Sequence, residues 1–379
     1  MTATPPGPEV ADPPARPTKQ EQLPAEEDAI EVAPGVLRLQ LPIMMPGLGH
    51  VNCYLLEDGD GVALVDPGLP GPESHAELVR RLRALGVPPE RVHTVLVTHS
   101  HPDHFGGAGR LHVEHRSRVV AHEAFSTPFD RVASPVEDDL VELEDRTDDE
   151  GGSLLEEVLF GEGDLPEIPA RPTPWGGDGM RPRAEELAHM RTWDSFSKQG
   201  LLSLHPTHRV QDQQRLQLGR REWTVVHTPG HTGDHICLFD PESGTLLSGD
   251  HVLPTITPHI SGISPGPDAL SQFFSALRRV AAIEGVRTVL PAHGLPFEDL
   301  EGRVEDIIEH HDRRLATLRG IAESLGEATV TEYSQRLFRE RSWGPMAESE
   351  TYAHLEHLRD AGEVVARRDD DGQLRYRPA

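Results

Sequence analysis

Apolar and polar residues alternate over "VLRLQLP" (36–42), which predicts a strand and marks where order begins. Further strand-like runs follow at "NCYLLE", "GVALVDPG", "HTVLVTH" and "RVVAHE". Between the second and third of these, Leu78, Val79, Leu82 and Leu85 recur at helical spacing, with Pro before them and Gly after. A second series of strands is predicted at "RLQLG", "EWTVVHTPGH", "HICLFD" and "GTLLSGD", where "DPESG" makes the turn between the last two. A helix over 268–283 places Leu270, Phe273, Phe274, Leu277 and Val280 on one face, and "VRTVLPAHG" then returns to strand. Strands interleaved with amphipathic helices predict a mixed α/β fold in which helices cover sheets.

Three regions break this pattern. Residues 1–28 hold Pro, Ala and Glu with almost no large apolar residue and read as a disordered tail. Residues 126–200 combine the acidic "EDDLVELEDRTDDEGG" with the Gly/Pro-rich "GEGDLPEIPARPTPWGGDGMRPR". That is too long for an ordinary loop; it is either a partly helical insertion or lid, or a loosely ordered surface segment. Its Trp175 and Trp193 either roof an apolar group or anchor the insertion. From 303 onward, three helical runs and "EVVARRDDDGQLRYRP", with Asp-Gly at its turn, suggest a winged-helix-like module over 303–379. The body of the chain is then 29–302.

Composition excludes some roles. At 379 residues and 36% hydrophobic content the chain can bury a core. No apolar run approaches membrane-spanning length and no secretory leader is visible, so a cytoplasmic protein is expected. The formal net charge of −27 would repel a phosphate backbone over most of the surface. Two cysteines, Cys53 and Cys237, make no disulfide framework and read as reduced strand residues.

The chemistry concentrates in "VTHSHPDHFGG" (97–107), which puts His99, His101, Asp103 and His104 directly after a strand. Imidazoles and a carboxylate together suit Zn, Fe or Mn. Four such groups crowded together require a cation to hold them. The following Gly106-Gly107 would let the backbone bend tightly into a helix. Three further candidates each come right after an apolar strand: His231 in "TPGHTGDH", Asp250 in "SGDH" and His293 in "PAHG". Seven ligands suffice for two metals, with Asp250 as the bridge.

These pieces, in this order and with "LVDPG" upstream, resemble the metallo-β-lactamase superfamily, in particular its glyoxalase II-like members. The resemblance covers roughly residues 30–300. It implies an αββα sandwich carrying two divalent metal ions, Zn first and Mn or Fe as alternatives. His99, His101 and His231 would hold one ion, and Asp103, His104 and His293 the other. Asp250 would bridge them. Asp66 would orient a ligand, or else cap the next segment. Cys is absent from the second ligand set, unlike the commonest true β-lactamases, so antibiotic hydrolysis is not the first choice.

The implied reaction is attack of metal-activated hydroxide on an acyl carbon, with Asp103 ligating the metal and accepting the water proton. His251 either faces the substrate or caps its strand, and His259 either lines the pocket or lies in a surface loop. His235 reads as a strand residue that could orient a ligand, and His122 as packed. "SGDHVLPTITPHIS" and the C-terminal helices are also similar to the β-lactamase-like protein 2 group, which contains thioesterases and a ribonuclease. A thioester, ester or lactone of a small acyl compound, free or carrier-bound, is therefore the leading substrate class. An endoribonuclease or phosphodiesterase is the first alternative. Against it, "AESETYAHLEHLRDAGE" carries Glu348, Glu350, Glu356, Asp360 and Glu363 with Arg359 alone. A mononuclear iron sulfur dioxygenase is the second alternative. No membrane partner is expected, and a homo-oligomer is compatible with the sequence.

Overall fold

The computed structural model describes residues 19–45, 47–127, 129–130, 172–177, 179, 184–263 and 268–379. The first sheet has seven strands in chain order: β1 (Ile30–Ala33), β2 (Val36–Met45), β3 (Leu48–Glu57), β4 (Val62–Val65), β5 (Val92–Leu96), β6 (Arg118–His122) and β7 (His208–Val210). Pairing is antiparallel up to β4 and parallel from β4 onward. The parallel half requires crossovers. Helix α1 (Pro72–Ala84) supplies the first, opened by proline and facing inward with Leu78 and Leu82. The short α2 (Pro102–Phe105) and α3 (Ala108–His115) supply the second.

After the helices α4 (Ala184–Arg191) and α5 (Asp194–Ser197), the second sheet follows in the order β12-β11-β10-β9-β8. Its strands are β8 (Arg215–Leu218), β9 (Arg221–His227), β10 (Ile236–Asp240), β11 (Thr245–Gly249) and β12 (Thr288–Pro291). Helix α6 (Ala269–Ala281) crosses over between β11 and β12. The Asp268 carboxylate caps it by accepting from Ser271 N at 2.9 Å.

The two sheets face each other across one apolar layer containing Val36, Tyr54, Leu56, Val65, Trp223, Ile236 and Leu247. A second layer covers the outer face of the first sheet, with Leu78, Leu82 and Leu111 from α1 and α3 and with Trp193 and Phe196. A third lies outside the second sheet, with Phe273 and Leu277 of α6. The result is the expected αββα order of layers. The third layer continues into a C-terminal helical region: α7 (Leu300–Leu325), α8 (Val330–Leu337) and α9 (Pro345–Asp360). A three-stranded sheet of β13 (Ala328–Thr329), β15 (Leu374–Pro378) and β14 (Val364–Arg368) completes the region. No helix among the described residues is long and apolar enough to cross a membrane.

Two expectations need correction. The tail does not extend to residue 28: residues 19–28 are placed against the body, and residues 1–18 lie outside the described residues. The reason is polar anchoring rather than apolar burial. The Glu21 carboxylate, fully buried, accepts from Thr255 N at 2.7 Å and Ile256 N at 3.0 Å. In addition, Leu23 O accepts from His50 Nδ1 at 2.8 Å. The second correction concerns Gly106 and Gly107, whose φ values of −58° and −81° are ordinary for any residue. Glycine is needed for close approach instead. A Cβ on Gly106 would lie 2.0 Å from Pro70 N, and one on Gly107 would lie 2.6 Å from Pro67 O.

Most of the expected insertion over 126–200 lies outside the described residues. Its two tryptophans are described, and both are anchors. Trp175 is buried against Tyr352 of α9 with ring centroids 5.1 Å apart, and its carbonyl accepts from Leu374 N at 2.8 Å. Trp193 is buried in the layer over the first sheet, beside Gly71.

Candidate metal centre

Strand direction decides which side chains meet. β4 and β5 run parallel, as do β11 and β12, and β9 runs with β11 because each is antiparallel to β10. The carboxyl ends of five strands therefore share one edge of the sandwich. Asp66 follows β4, Thr98 to His104 follow β5, His231 follows β9, Asp250 follows β11 and His293 follows β12. All seven ligands expected from the sequence come together there.

They form two groups. In the first, His101 Nδ1 lies 3.0 Å from His99 Nε2 and 3.1 Å from His231 Nε2. Asp250 Oδ2 is 3.4 Å from His231 Nε2 and 4.0 Å from His99 Nε2. In the second, Asp103 Oδ2 lies 3.5 Å from both His104 Nε2 and His293 Nε2. Asp250 Oδ1 is 3.3 Å from His293 Nε2 and 3.7 Å from His104 Nε2. A tetrahedral ion with ligands at 2.0–2.1 Å has ligand–ligand edges of about 3.3 Å. The spacings match that figure, and Asp250 presents one oxygen to each group.

Donor chemistry agrees. His104 Nε2, His293 Nε2 and Asp250 Oδ1 are buried without a hydrogen-bond partner although they face one another. Such orphaned atoms are costly unless something binds them. Apart from His101, the opposite ring nitrogens of the histidines in the two groups are spoken for. His104 Nδ1–H donates to Asp66 Oδ2 at 2.9 Å, His293 Nδ1–H to His50 O at 2.6 Å, and His231 Nδ1–H to His259 O at 2.7 Å. His99 Nδ1–H donates to Thr98 Oγ1 at 3.1 Å. Each bond fixes the tautomer so that the Nε2 lone pair points into the cluster. Asp66, Asp103 and Asp250 are all buried, and no Arg or Lys pairs with any of them among the described residues. Three carboxylates out of water with no Arg or Lys partner favour a bound cation. The residues thus fit a pair of divalent metal ions.

The electrostatics follow from the same arrangement. Burial, reinforced by the neighbouring imidazoles, keeps His99 well below the ordinary histidine value and His101 down at about 3. Burial also opposes charge on His104, but Asp103, Asp250 and Asp66 outweigh it and hold that imidazole well above the usual range. Without metal, His104 therefore carries the proton that a cation would displace. Burial raises Asp103, yet His104 and His293 bring it down to about 2, so it is ionised at neutral pH.

Asp66 sits at a φ of +56°, and its carboxylate also accepts from Thr98 N at 2.9 Å and Thr98 Oγ1 at 2.8 Å. It therefore orients His104 and the strand end together. His251 is not brought to the groups: it is fully buried and packs edge-on against Phe273 at 5.1 Å. His259 contributes its main-chain oxygen, while its ring turns toward Glu350. His122 stacks on His227 with centroids 4.0 Å apart.

Three supporting residues were missed or undervalued in the sequence. His235 Nε2 accepts from Asp250 N at 3.0 Å, fixing the bridging residue. His50 accepts from His293 through its main chain and from Gly294 N through its ring at 3.0 Å. Asn52 donates to Pro291 O at 2.7 Å and Gly294 O at 2.9 Å. His235 had a signal, as a polar residue in an apolar strand. His50 and Asn52 lie more than 230 positions from their partners and had none.

Residues 46–293 match the metallo-beta-lactamase superfamily. A relative named "Probable metallo-hydrolase YqjP", from Bacillus subtilis (strain 168), is 26% identical over 87% of this chain and 93% of its own. A metallo-beta-lactamase family protein from Thermus thermophilus superposes with a TM-score of 0.66 at 27% identity, covering 92% of this chain and 100% of its own. A beta-lactamase domain protein from Burkholderia ambifaria gives 0.66 at 28%, covering 94% and 96%. The strand-end cluster, the layered fold and these likenesses agree: the chain belongs to the metallo-beta-lactamase superfamily, as a metallo-hydrolase.

Proposed function

We propose that this hydrolase binds two divalent ions, Zn first, and cleaves a thioester, ester or lactone of a small acyl compound. One observation carries the dinuclear reading: the two oxygens of Asp250 divide between the ligand groups, at 3.4 Å from His231 and 3.3 Å from His293. A metal pair bound there would supply an activated water and an electrophile for the carbonyl oxygen.

The chain's own residues do the rest. His99, His101 and His231 hold the first ion, and Asp103, His104 and His293 the second. Asp103, ionised at neutral pH, takes the proton of the attacking water. His101, only partly buried, is the least enclosed of the seven, and we place the approach of substrate on its side. Asp66 keeps His104 in its ligating tautomer.

Phosphodiester cleavage fits less well. Four of the C-terminal arginines that could grip a phosphate backbone are neutralised in place: Arg319 pairs with Glu363, Arg359 with Glu356, Arg367 with Glu327 and Arg375 with Asp369. We read this region as a winged-helix-like module that walls the cleft rather than one that binds nucleic acid. Both cysteines are free and buried, which suits a cytoplasmic protein.

The test is hydrolysis of a thioester and lactone panel beside a structured RNA, with and without a chelator. Thioester or lactone cleavage that a chelator stops and Zn restores supports the reading. Cleavage of RNA alone refutes it. Sulfur oxidation by iron-loaded protein, with no hydrolysis, would favour the dioxygenase alternative.

A further inference from the structure

The metal-ligand candidate His231 depends on a main-chain atom, the carbonyl of His259, for its orientation. That carbonyl lies on the loop that follows β11 from His251 onward. The loop is secured at several points, and different parts of the chain secure different parts of it. Glu21 accepts from Thr255 N and Ile256 N. Arg303 of α7 donates to Leu253 O at 2.6 Å and Ile256 O at 2.6 Å. These contacts fix the loop only as far as residue 256.

Helix α9 takes over beyond that point. Glu350 Oε2 lies 3.6 Å from His259 Nδ1. Ser349 Oγ lies 3.0 Å from Ser261 Oγ. Gly262 sits so close to Tyr352 that a Cβ would come within 2.5 Å of its ring.

Glu350 is itself held firmly. Arg314 of α7 pairs with its Oε1. The helix behind it is fixed by His354, whose Nδ1–H donates to Glu350 O at 2.7 Å and whose Nε2 lies 3.0 Å from His311 Nδ1. The side chains of His311, Glu350 and His354 are close enough to hold an ion of their own. The Arg314 guanidinium already supplies the positive charge there. Asp66, Asp103 and Asp250 have no such partner. The Glu350 carboxylate therefore has its counter-charge in Arg314, although His311 Nε2 stays buried without a hydrogen-bond partner.

We infer that Glu350 is a positioning residue for the metal centre: through the His259 side chain it fixes the His259 carbonyl, and thereby the His231 imidazole. The C-terminal region would then tune how tightly the first ligand group binds its ion. This inference rests on the dinuclear reading but not on any substrate.

The experiment is Zn titration of the whole protein against a chromogenic chelator, yielding two dissociation constants. Repeating it with His293→Ala, which lacks a second-group ligand, identifies the constant of the first group. Partners that orient a ligating histidine are worth about 10–100-fold in metal affinity, and Glu350 acts one step further out. Glu350→Gln should therefore weaken the first site by roughly tenfold and leave the second within about twofold. His259→Ala keeps the carbonyl but removes the ring, and should do the same. The double variant should be no worse than either single one, because both break the same link. Glu350→Asp should recover part of the loss.

Unchanged first-site affinity in Glu350→Gln overturns the inference, as does equal weakening of both sites together with a lower melting temperature of the metal-free protein. Additive losses in the double variant also overturn it. Should Glu350→Gln fail to fold, His259→Ala, at a partly exposed position, decides alone. Wild-type protein that takes up no metal refutes the dinuclear reading and the inference with it; two tight ions in both wild type and Glu350→Gln refute the inference alone.

Discussion

Replacing Asp66 by Asn should cost the second metal rather than the fold. The carboxylate accepts three hydrogen bonds: Thr98 N on Oδ1, and Thr98 Oγ1 and His104 Nδ1 on Oδ2. Asn is nearly isosteric and tolerates a φ of +56°, so the backbone need not change. If the Asn oxygen stays on Thr98 N, its NH2 group faces His104 Nδ1. Two donors then oppose each other, and His104 relieves the clash by moving its proton to Nε2. That nitrogen points at Asp103 and Asp250, and a proton there removes the ligand lone pair. Loss of an orienting partner of this kind costs about 10–100-fold in metal affinity, or about 1.4–2.7 kcal/mol. The assay is the same chelator competition, read at the second group, with the unfolding midpoint of the metal-free variant as control. Second-site affinity within about twofold of wild type would show that Asp66 merely caps its turn, and the tautomer argument would fall.

Other outcomes are expected alongside it. Divalent ion at about a hundred times its dissociation constant should stabilise the chelated protein by about 2.7 kcal/mol in urea unfolding; an unmoved midpoint would mean that the three buried carboxylates are satisfied some other way. Gly106→Ala should cost about 3 kcal/mol or more, because its Cβ meets main-chain atoms of Pro70 that cannot rotate aside; a loss under about 1 kcal/mol would show that the loop gives way easily. Burial holds His354 down at about 4, against an ordinary value of 6.5. Above about pH 6.5 it is neutral in both states; as pH falls from there toward 4, the unfolded chain binds a proton the folded one refuses, and stability drops by up to about 1.4 kcal/mol per pH unit. His354→Gln should flatten that acid limb in unfolding curves of the chelated protein, and an unchanged slope would contradict the assignment.

Much of this protein is legible along the chain because its information is local. The run from His99 to His104 announces metal chemistry through spacing alone, and the apolar runs before His231, Asp250 and His293 place each ligand at a strand end. The helical spacing of Leu270, Phe273, Phe274, Leu277 and Val280 likewise gives α6 and its buried face. Other features were misjudged because the deciding contact is distant in sequence. The polar residues 19–28 look unfoldable until Glu21 meets the backbone of Thr255 and Ile256. Gly106 looks like a bend until Pro70 is seen beside it.

The sequence by itself thus determined the elements, the ligand types and their order, since periodicity and motif spacing are properties of neighbouring residues. Only the tertiary structure decided that Asp250 divides its oxygens between two groups, that His251 turns away while the His259 carbonyl turns in, and that His50, Asn52 and His235 support the centre. Those outcomes depend on which strand ends share an edge and which lone pairs find a donor across it, and such pairings are settled when the layers pack.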